Sequence, residues 1–189
     1  MAFNRKSSQI VFACIGILVS CYAYYVETTK EIDTSYVALC DINPSVSCSK
    51  VFTSKWGRGL GLLENIVGRH HVLNQPNSVF GIIYYIICII SEMTTSLMAV
   101  KLVVAASILS FASCLWLAYI LFFVLNDVCV VCISMYVVNT TLLIGSIVRY
   151  SRVMAHQKNK ENDLIFKYFA VFVVIICGAI NSNTLITLM

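Results

Sequence analysis

Four runs of about twenty apolar residues govern what this chain can become. They extend from about Gln9 to Val26, from Ser78 into the polar patch Ser91, Glu92, Thr94, Thr95, Ser96, from Leu102 to Leu125, and from Val128 to Val148. A membrane-spanning helix needs roughly 20 mostly apolar residues. Each run is apolar on all sides rather than along one stripe, which suits helices solvated by lipid. Of the 189 residues, 59% are hydrophobic and 12% charged, against about 25% charged in a water-soluble domain. Too few charges remain to cover a surface in water. Disorder, a coiled coil and a nucleic-acid-binding module are excluded. The net charge of +4 calls for no anionic polymer.

No small-residue cleavage site follows the first run, so it reads as a span rather than a leader. A fifth apolar stretch, Leu164 to Leu188, has a short clean core, Tyr168 to Ile180. It reads either as a further crossing or as an interfacial tail. The expected fold is an all-α integral membrane protein, a four-helix bundle in residues 1–150. A basic linker and apolar tail follow in 151–189.

Orientation follows from the basic residues. Arg5 and Lys6 precede the first run, and Arg149, Arg152, Lys158 and Lys160 follow the fourth. An even number of spans separates them, so both flanks and the turn at Glu92 face the cytosol. The long segment 27–77 and the turn Asn126-Asp127 then face the opposite compartment. Segment 27–77 is too long for a plain connection. It carries mixed charge and the apolar pieces Trp56–Leu63 and Ile66-Val67. It reads as a cap over the bundle mouth, with a short amphipathic half-helix in the interface and Trp56 at headgroup depth.

The nine cysteines divide by place. Cys14, Cys21, Cys88, Cys114 and Cys177 lie inside apolar runs, where a thiol behaves as a small hydrophobe. Cys40, Cys48, Cys129 and Cys132 all fall on the non-cytosolic, oxidising side. Cys129-Val130-Val131-Cys132 heads a helix, where unpaired N–H groups and partial positive charge favour a thiolate. One thiolate of such a pair attacks, and its neighbour resolves the adduct as a disulfide. A structural staple and a zinc site, with Cys40, Cys48, His70 and His71 as further ligands, are the alternatives. Cys40 and Cys48 flank the turn formers Asp41, Asn43, Pro44 and Ser45. A structural loop disulfide would look the same. Two pairs on one face suggest instead that the inner pair does chemistry while the loop pair carries electrons to it.

Tyr136 lies one helical turn after Cys132, and Asn77 stands at the entry to the second run. Alone, Tyr136 reads as a satisfied core tyrosine and Asn77 as a helix cap. Together, at one membrane depth, they could hydrogen-bond two carbonyl oxygens of a flat ligand. Phe52, Trp56, Phe80 and Tyr84 would then form apolar walls, the composition of a small-ligand pocket. Asn139-Thr140-Thr141 fits the glycosylation pattern but lies within the fourth run and is discarded.

Several stretches now carry a resemblance. They are Leu39-Cys40-Asp41, Ser47-Cys48-Ser49, Ser54-Lys55-Trp56-Gly57-Arg58-Gly59, Leu73-Asn74-Gln75-Pro76-Asn77-Ser78-Val79-Phe80-Gly81, and Ala118 to Leu125 running into Cys129-Val130-Val131-Cys132. The chain resembles the vitamin K epoxide reductase family in its animal form, over roughly Gly16 to Arg149. The resemblance implies a four-helix bundle in the endoplasmic reticulum membrane with a luminal cap. It implies reduction of vitamin K 2,3-epoxide to the quinone and of the quinone to the hydroquinone, in support of glutamate carboxylation. Cys132 would attack substrate and Cys129 resolve it. Cys40 and Cys48 would shuttle electrons from a luminal thioredoxin-like protein. Asn77 and Tyr136 would anchor the naphthoquinone oxygens, and Phe52, Trp56, Phe80 and Tyr84 would line the pocket. The same pocket would take 4-hydroxycoumarins such as warfarin. No metal or permanently bound cofactor is implied; vitamin K is substrate and a dithiol the electron donor. Bacterial relatives fuse a thioredoxin-like domain after the bundle. None follows here, so the thiol partner is expected to act in trans. The tail after Asp163 lies outside the family pattern. Two alternatives stand beside this reading: a quinone-linked thiol oxidase running in the opposite direction, and a four-span adhesion protein with a structural cysteine pair.

Overall fold

A computed structural model describes the backbone of residues 5–186 apart from 44, 65–67, 69–70, 72–73 and 95, and the side chains within 7–159 of that set. His70, Ile66-Val67 and the side chains of the 164–188 stretch lie outside the described residues. The chain forms two compact units, residues 1–149 and 150–189.

Among the described residues, five α-helices account for the architecture and no strand occurs. They are α1 (Arg5–Ile32), α2 (Cys48–Phe52), α3 (Asn77–Glu92), α4 (Leu97–Tyr119) and α5 (Val130–Ile186). Among the described residues, three stretches are long and apolar enough to cross a bilayer: Ser7–Ile32, Leu97–Leu125 and Val130–Asn159. The first, third and fourth apolar runs are therefore helical as expected. The second differs. α3 has 16 residues, about 24 Å at 1.5 Å per residue, against a hydrocarbon core of ~30 Å. Around its end at Glu92, backbone carbonyls on either side are bound by a side chain. Arg149 donates to the Ser91 and Thr94 carbonyls (2.5 Å each), to Ser91 Oγ (2.9 Å) and to Glu92 Oε1 (3.1 Å). A residue read as a topological charge is thus also the C-terminal cap of a neighbouring helix.

α4 runs without a break into a π-helical stretch, Ile120–Leu125, which ends at Asn126 in the left-handed region (φ 51°). That left-handed residue is a helix-ending device. It turns the chain sharply enough for α5 to begin four residues later.

Between apolar helices in lipid the hydrophobic effect does little, so close packing and hydrogen bonds hold the bundle. α1 and α3 approach closely at Gly16, where a Cβ would stand 2.6 Å from the Tyr85 ring. Tyr84 donates to Ser107 Oγ (3.0 Å), tying α3 to α4. Tyr85 donates to Asn139 Oδ1 (2.9 Å), and Asn139 Nδ2 to Cys114 Sγ (3.0 Å). Three helices therefore meet at one buried asparagine. One buried cluster surrounds this belt: Ala13, Tyr84, Tyr85, Cys88, Val103, Val138 and Leu142. A second lies toward the cap: Ala23, Cys48, Leu121, Cys129 and Val131.

Among the described residues the cap's helical pieces are α2, one 3₁₀ turn at Gly59–Gly61, and helical backbone at Leu63 and Glu64 just after Trp56–Leu62. Trp56 packs edge-on against Trp116 of α4 (6.1 Å between centroids). The turn needs its glycines. Gly61 has φ +70°, and a Cβ there would run into the Trp56 ring.

Candidate functional site

Two sets of backbone bonds bring the cysteines together. Ser47 N–H donates to the Val128 carbonyl (3.1 Å) and Val128 N–H to the Ser45 carbonyl (2.9 Å). Lys50 pairs with the buried Asp127 (2.6 Å). This short parallel pairing lays the loop before Cys48 beside the residue before Cys129. Both cysteines are fully buried and share one packed cluster. Cys40 and Cys48 form a disulfide; Cys129 and Cys132 are free thiols.

Asp41 organises the loop pair. It accepts from Ala38 N–H (3.0 Å), Ser47 Oγ (2.9 Å), Ser49 N–H (3.0 Å) and Ser49 Oγ (2.6 Å). Partial burial pushes its carboxyl up. The hydrogen bonds from Ser49, Ala38 and Ser47 outweigh that and hold it down at about 2, against an ordinary 3.8.

Cys129 is the residue before the first turn of α5, and its sulfur accepts the N–H of Cys132 (3.2 Å). Cys132, one turn in, is half-buried and lines a cavity of about 620 Å³. Cys129 lies behind it and does not line that cavity. The cavity is open on one side and apolar. Phe52, Trp56, Asn77, Phe80, Tyr84 and Tyr136 all border it, so every residue read from sequence as a substrate contact meets Cys132 in one space.

The polar members differ in what they have left to offer. Asn77 accepts from Leu60 N–H (2.9 Å) through Oδ1 and donates to the Trp56 carbonyl (2.7 Å) through Nδ2. It braces the cap, and one amide N–H remains beyond the bond to Trp56. The Tyr136 hydroxyl makes no hydrogen bond to any described residue.

Three cavity residues escaped the sequence reading. Glu27, near the end of α1, is 2% exposed and binds Arg58 of the cap (3.0 Å), while Glu31 takes the other side of the same guanidinium (2.9 Å). A carboxylate four residues before another, directly after an apolar run, was the available signal. Asn139, dismissed with its glycosylation pattern, lines the cavity floor. A polar residue inside a span, seven positions after Cys132 and so on its face, is a site signal by default. Cys114, read as a small hydrophobe, is buried and also borders the cavity.

A family search matches the vitamin K epoxide reductase family over residues 9–147. The chain belongs to that family. It is 40% identical over 153 residues to vitamin K epoxide reductase complex subunit 1 of Mus musculus, covering 81% of this chain and 93% of the relative. It is 39% identical over 152 residues to the subunit of that name from Rattus norvegicus, covering 80% and 92%. The match takes in α1 through the first part of α5 and so contains Cys40, Cys48, Cys129, Cys132 and the six cavity residues named above. An oxidoreductase in a membrane-helical bundle is the coarse reading that both family and fold support, and neither favours the adhesion-protein alternative or the reversed oxidase.

Proposed function

We propose that this reductase-family chain reduces vitamin K 2,3-epoxide to the quinone, and the quinone to the hydroquinone, at Cys132. The observation that carries it is the placement of Cys132, Tyr136 and four aromatic walls around one apolar cavity, with the Cys129 sulfur behind Cys132. The naphthoquinone ring sits against Phe52, Trp56, Phe80 and Tyr84. The Tyr136 hydroxyl and the remaining Asn77 N–H donate to its two oxygens.

The Cys132 thiolate attacks the ring carbon of the epoxide. A C–S bond forms, and the C–O bond opens to an alkoxide that is protonated. The Cys129 thiolate then attacks the Cys132 sulfur. The new disulfide forms, the C–S electron pair returns to the ring as an enolate, and hydroxide leaves and is protonated to water. Two electrons and two protons have passed from the dithiol to substrate. Quinone reduction uses the same addition and resolution, with both oxygens ending protonated.

The resulting Cys129–Cys132 disulfide is re-reduced through Cys48, its neighbour across the Ser45–Val128 pairing. Cys40 and Cys48 collect electrons from a luminal thioredoxin-like protein. Residues 1–150 are the working domain, and the cap faces the lumen of the endoplasmic reticulum. A 4-hydroxycoumarin, flat and with oxygens at comparable spacing, competes for the same walls.

Turnover of vitamin K epoxide in microsomes with dithiothreitol tests this reading. Activity is expected in the wild type and absent in Cys132→Ala. Undiminished turnover by that variant removes the role given to the sulfur.

A further inference from the structure

Glu27 puts a carboxylate on the wall of an otherwise apolar cavity. Among the described residues that border this cavity it is the only Asp or Glu, and none is a Lys, Arg or His. It reaches the wall from α1, one turn after Ala23, which borders the same space and shares a buried cluster with Cys129 and Val131. An ionisable side chain enclosed in an apolar bundle is costly and points to function.

The counter-ion lies on another side. Arg58 donates from Nε to Glu27 Oε1 (3.0 Å) and gives its other edge to Glu31 (2.9 Å). Glu27 Oε2 accepts no hydrogen bond from a described residue. Arg58 and Glu31 do not border the cavity; with Lys55 they border a separate polar cleft of about 340 Å³. Exposure divides the group in the same way. The Glu27 side chain is 3% exposed, Arg58 36% and Glu31 46%. Water and salt therefore screen the guanidinium and the second carboxylate far more than they screen Glu27. The pair turns its negative end to whatever occupies the cavity. Bracing the cap does not require this placement, since Glu31 holds the same guanidinium from outside the cavity.

We infer that Glu27 makes the cavity selective by charge, so that flat neutral rings bind and rings carrying a negative charge are held off. The inference rests on the reading of this cavity as the naphthoquinone site. An anion entering it gives up its hydration, finds no cation on the walls and meets a like charge. A neutral dione meets none of these costs. Asn77 and Tyr136 offer donors to either ring, so Glu27 supplies the repulsive element of the discrimination. The 4-hydroxycoumarins are acids, and by this reading they bind as neutral molecules.

The test uses the full chain purified in detergent at about pH 8 and two rings of one shape. One is 2,3-dimethyl-1,4-naphthoquinone, which is neutral; the other is 2-hydroxy-3-methyl-1,4-naphthoquinone, which is an anion there. Dissociation constants are measured by titration calorimetry. The ratio of anion to neutral ring is compared between chains, so partition into the micelle cancels. In Glu27→Gln, which keeps an acceptor for Arg58, the ratio is expected to fall about tenfold or more, the scale of a poorly screened like charge. Glu27→Met, of similar length and uncharged, is expected to shift it the same way. Glu31→Gln removes a charge from the same guanidinium but outside the cavity, and the ratio is expected to stay within about twofold. An unchanged ratio in Glu27→Gln overturns the inference. An equal fall in Glu31→Gln also overturns it, because the charge then acts through Arg58 and not on the ligand. Turnover of vitamin K epoxide by the wild type is measured alongside. A chain that shows the shift and turns over no epoxide refutes the proposed reaction and keeps the charge filter; turnover without the shift does the reverse.

Discussion

Tyr136 is a cavity residue with an unused hydrogen-bonding group, and Asn77 is one whose group is mostly spent. Their substitutions therefore separate. Tyr136→Phe removes one neutral hydrogen bond to substrate, a net of about 0.5–1.5 kcal/mol. Steady-state kinetics are expected to show kcat/KM for the epoxide down by roughly two- to tenfold, with no change in thermal stability. Asn77→Ala also frees the Trp56 carbonyl and the Leu60 N–H, so it lowers stability as well as turnover. Asp41 gives a pH signature of the loop. Its folded value, about 2, lies below the ordinary 3.8. Its contribution is complete above the ordinary value and is lost as pH falls from about 4 through about 2. Hydrogen-exchange protection of the Ala38 and Ser49 amides is expected to be level above pH 4 and to drop across that window. Asp41→Asn removes the drop; a drop that persists in the variant contradicts the assignment.

Among the elements, the cap depends on α1 as much as on its own turns. The Arg58 guanidinium, on the cap, is held by Glu27 and Glu31, one turn apart on α1. Arg58→Leu leaves Glu27 buried without its partner. A loss of about 2–4 kcal/mol is expected, since an unpaired buried charge costs more than the pair contributes. Glu27→Gln in the same chain should recover much of it, as read by thermal unfolding in detergent; failure to recover would show that packing of the Arg58 stem carries the effect. The elements also show where sequence reasoning stops. The spans, the Cys129–Cys132 spacing and the place of Asn77 were legible because each depends on neighbours in sequence. The clasp on the end of α3 was not, since it depends on Arg149, 57 residues from Glu92. The same holds for Glu27 with Arg58 and for the Asn139 clasp, whose partners lie 54 and 25 residues away. No periodicity encodes such long-range pairs.

At the scale of the whole molecule, the bundle supplies an apolar cavity and the cap supplies its redox wiring, joined at the short pairing of Ser45–Ser47 with Val128. Resemblance carried the roles of the two cysteine pairs, and the structure adds the order in which burial arranges them: Cys40 outermost, Cys48 and Cys129 enclosed side by side, Cys132 facing the cavity. In the proposed cycle, electrons entering at Cys40 would pass along these neighbouring sulfurs to the substrate. The central claim is the covalent bond from Cys132 to the ring. It is tested most directly in Cys129→Ser, which attacks but has no thiol to resolve the adduct. After incubation with vitamin K epoxide, mass spectrometry of the digested protein is expected to find the ligand's mass on the peptide carrying Cys132. A variant that binds the epoxide yet leaves that sulfur unmodified, or carries the ligand on a different cysteine, would contradict the account.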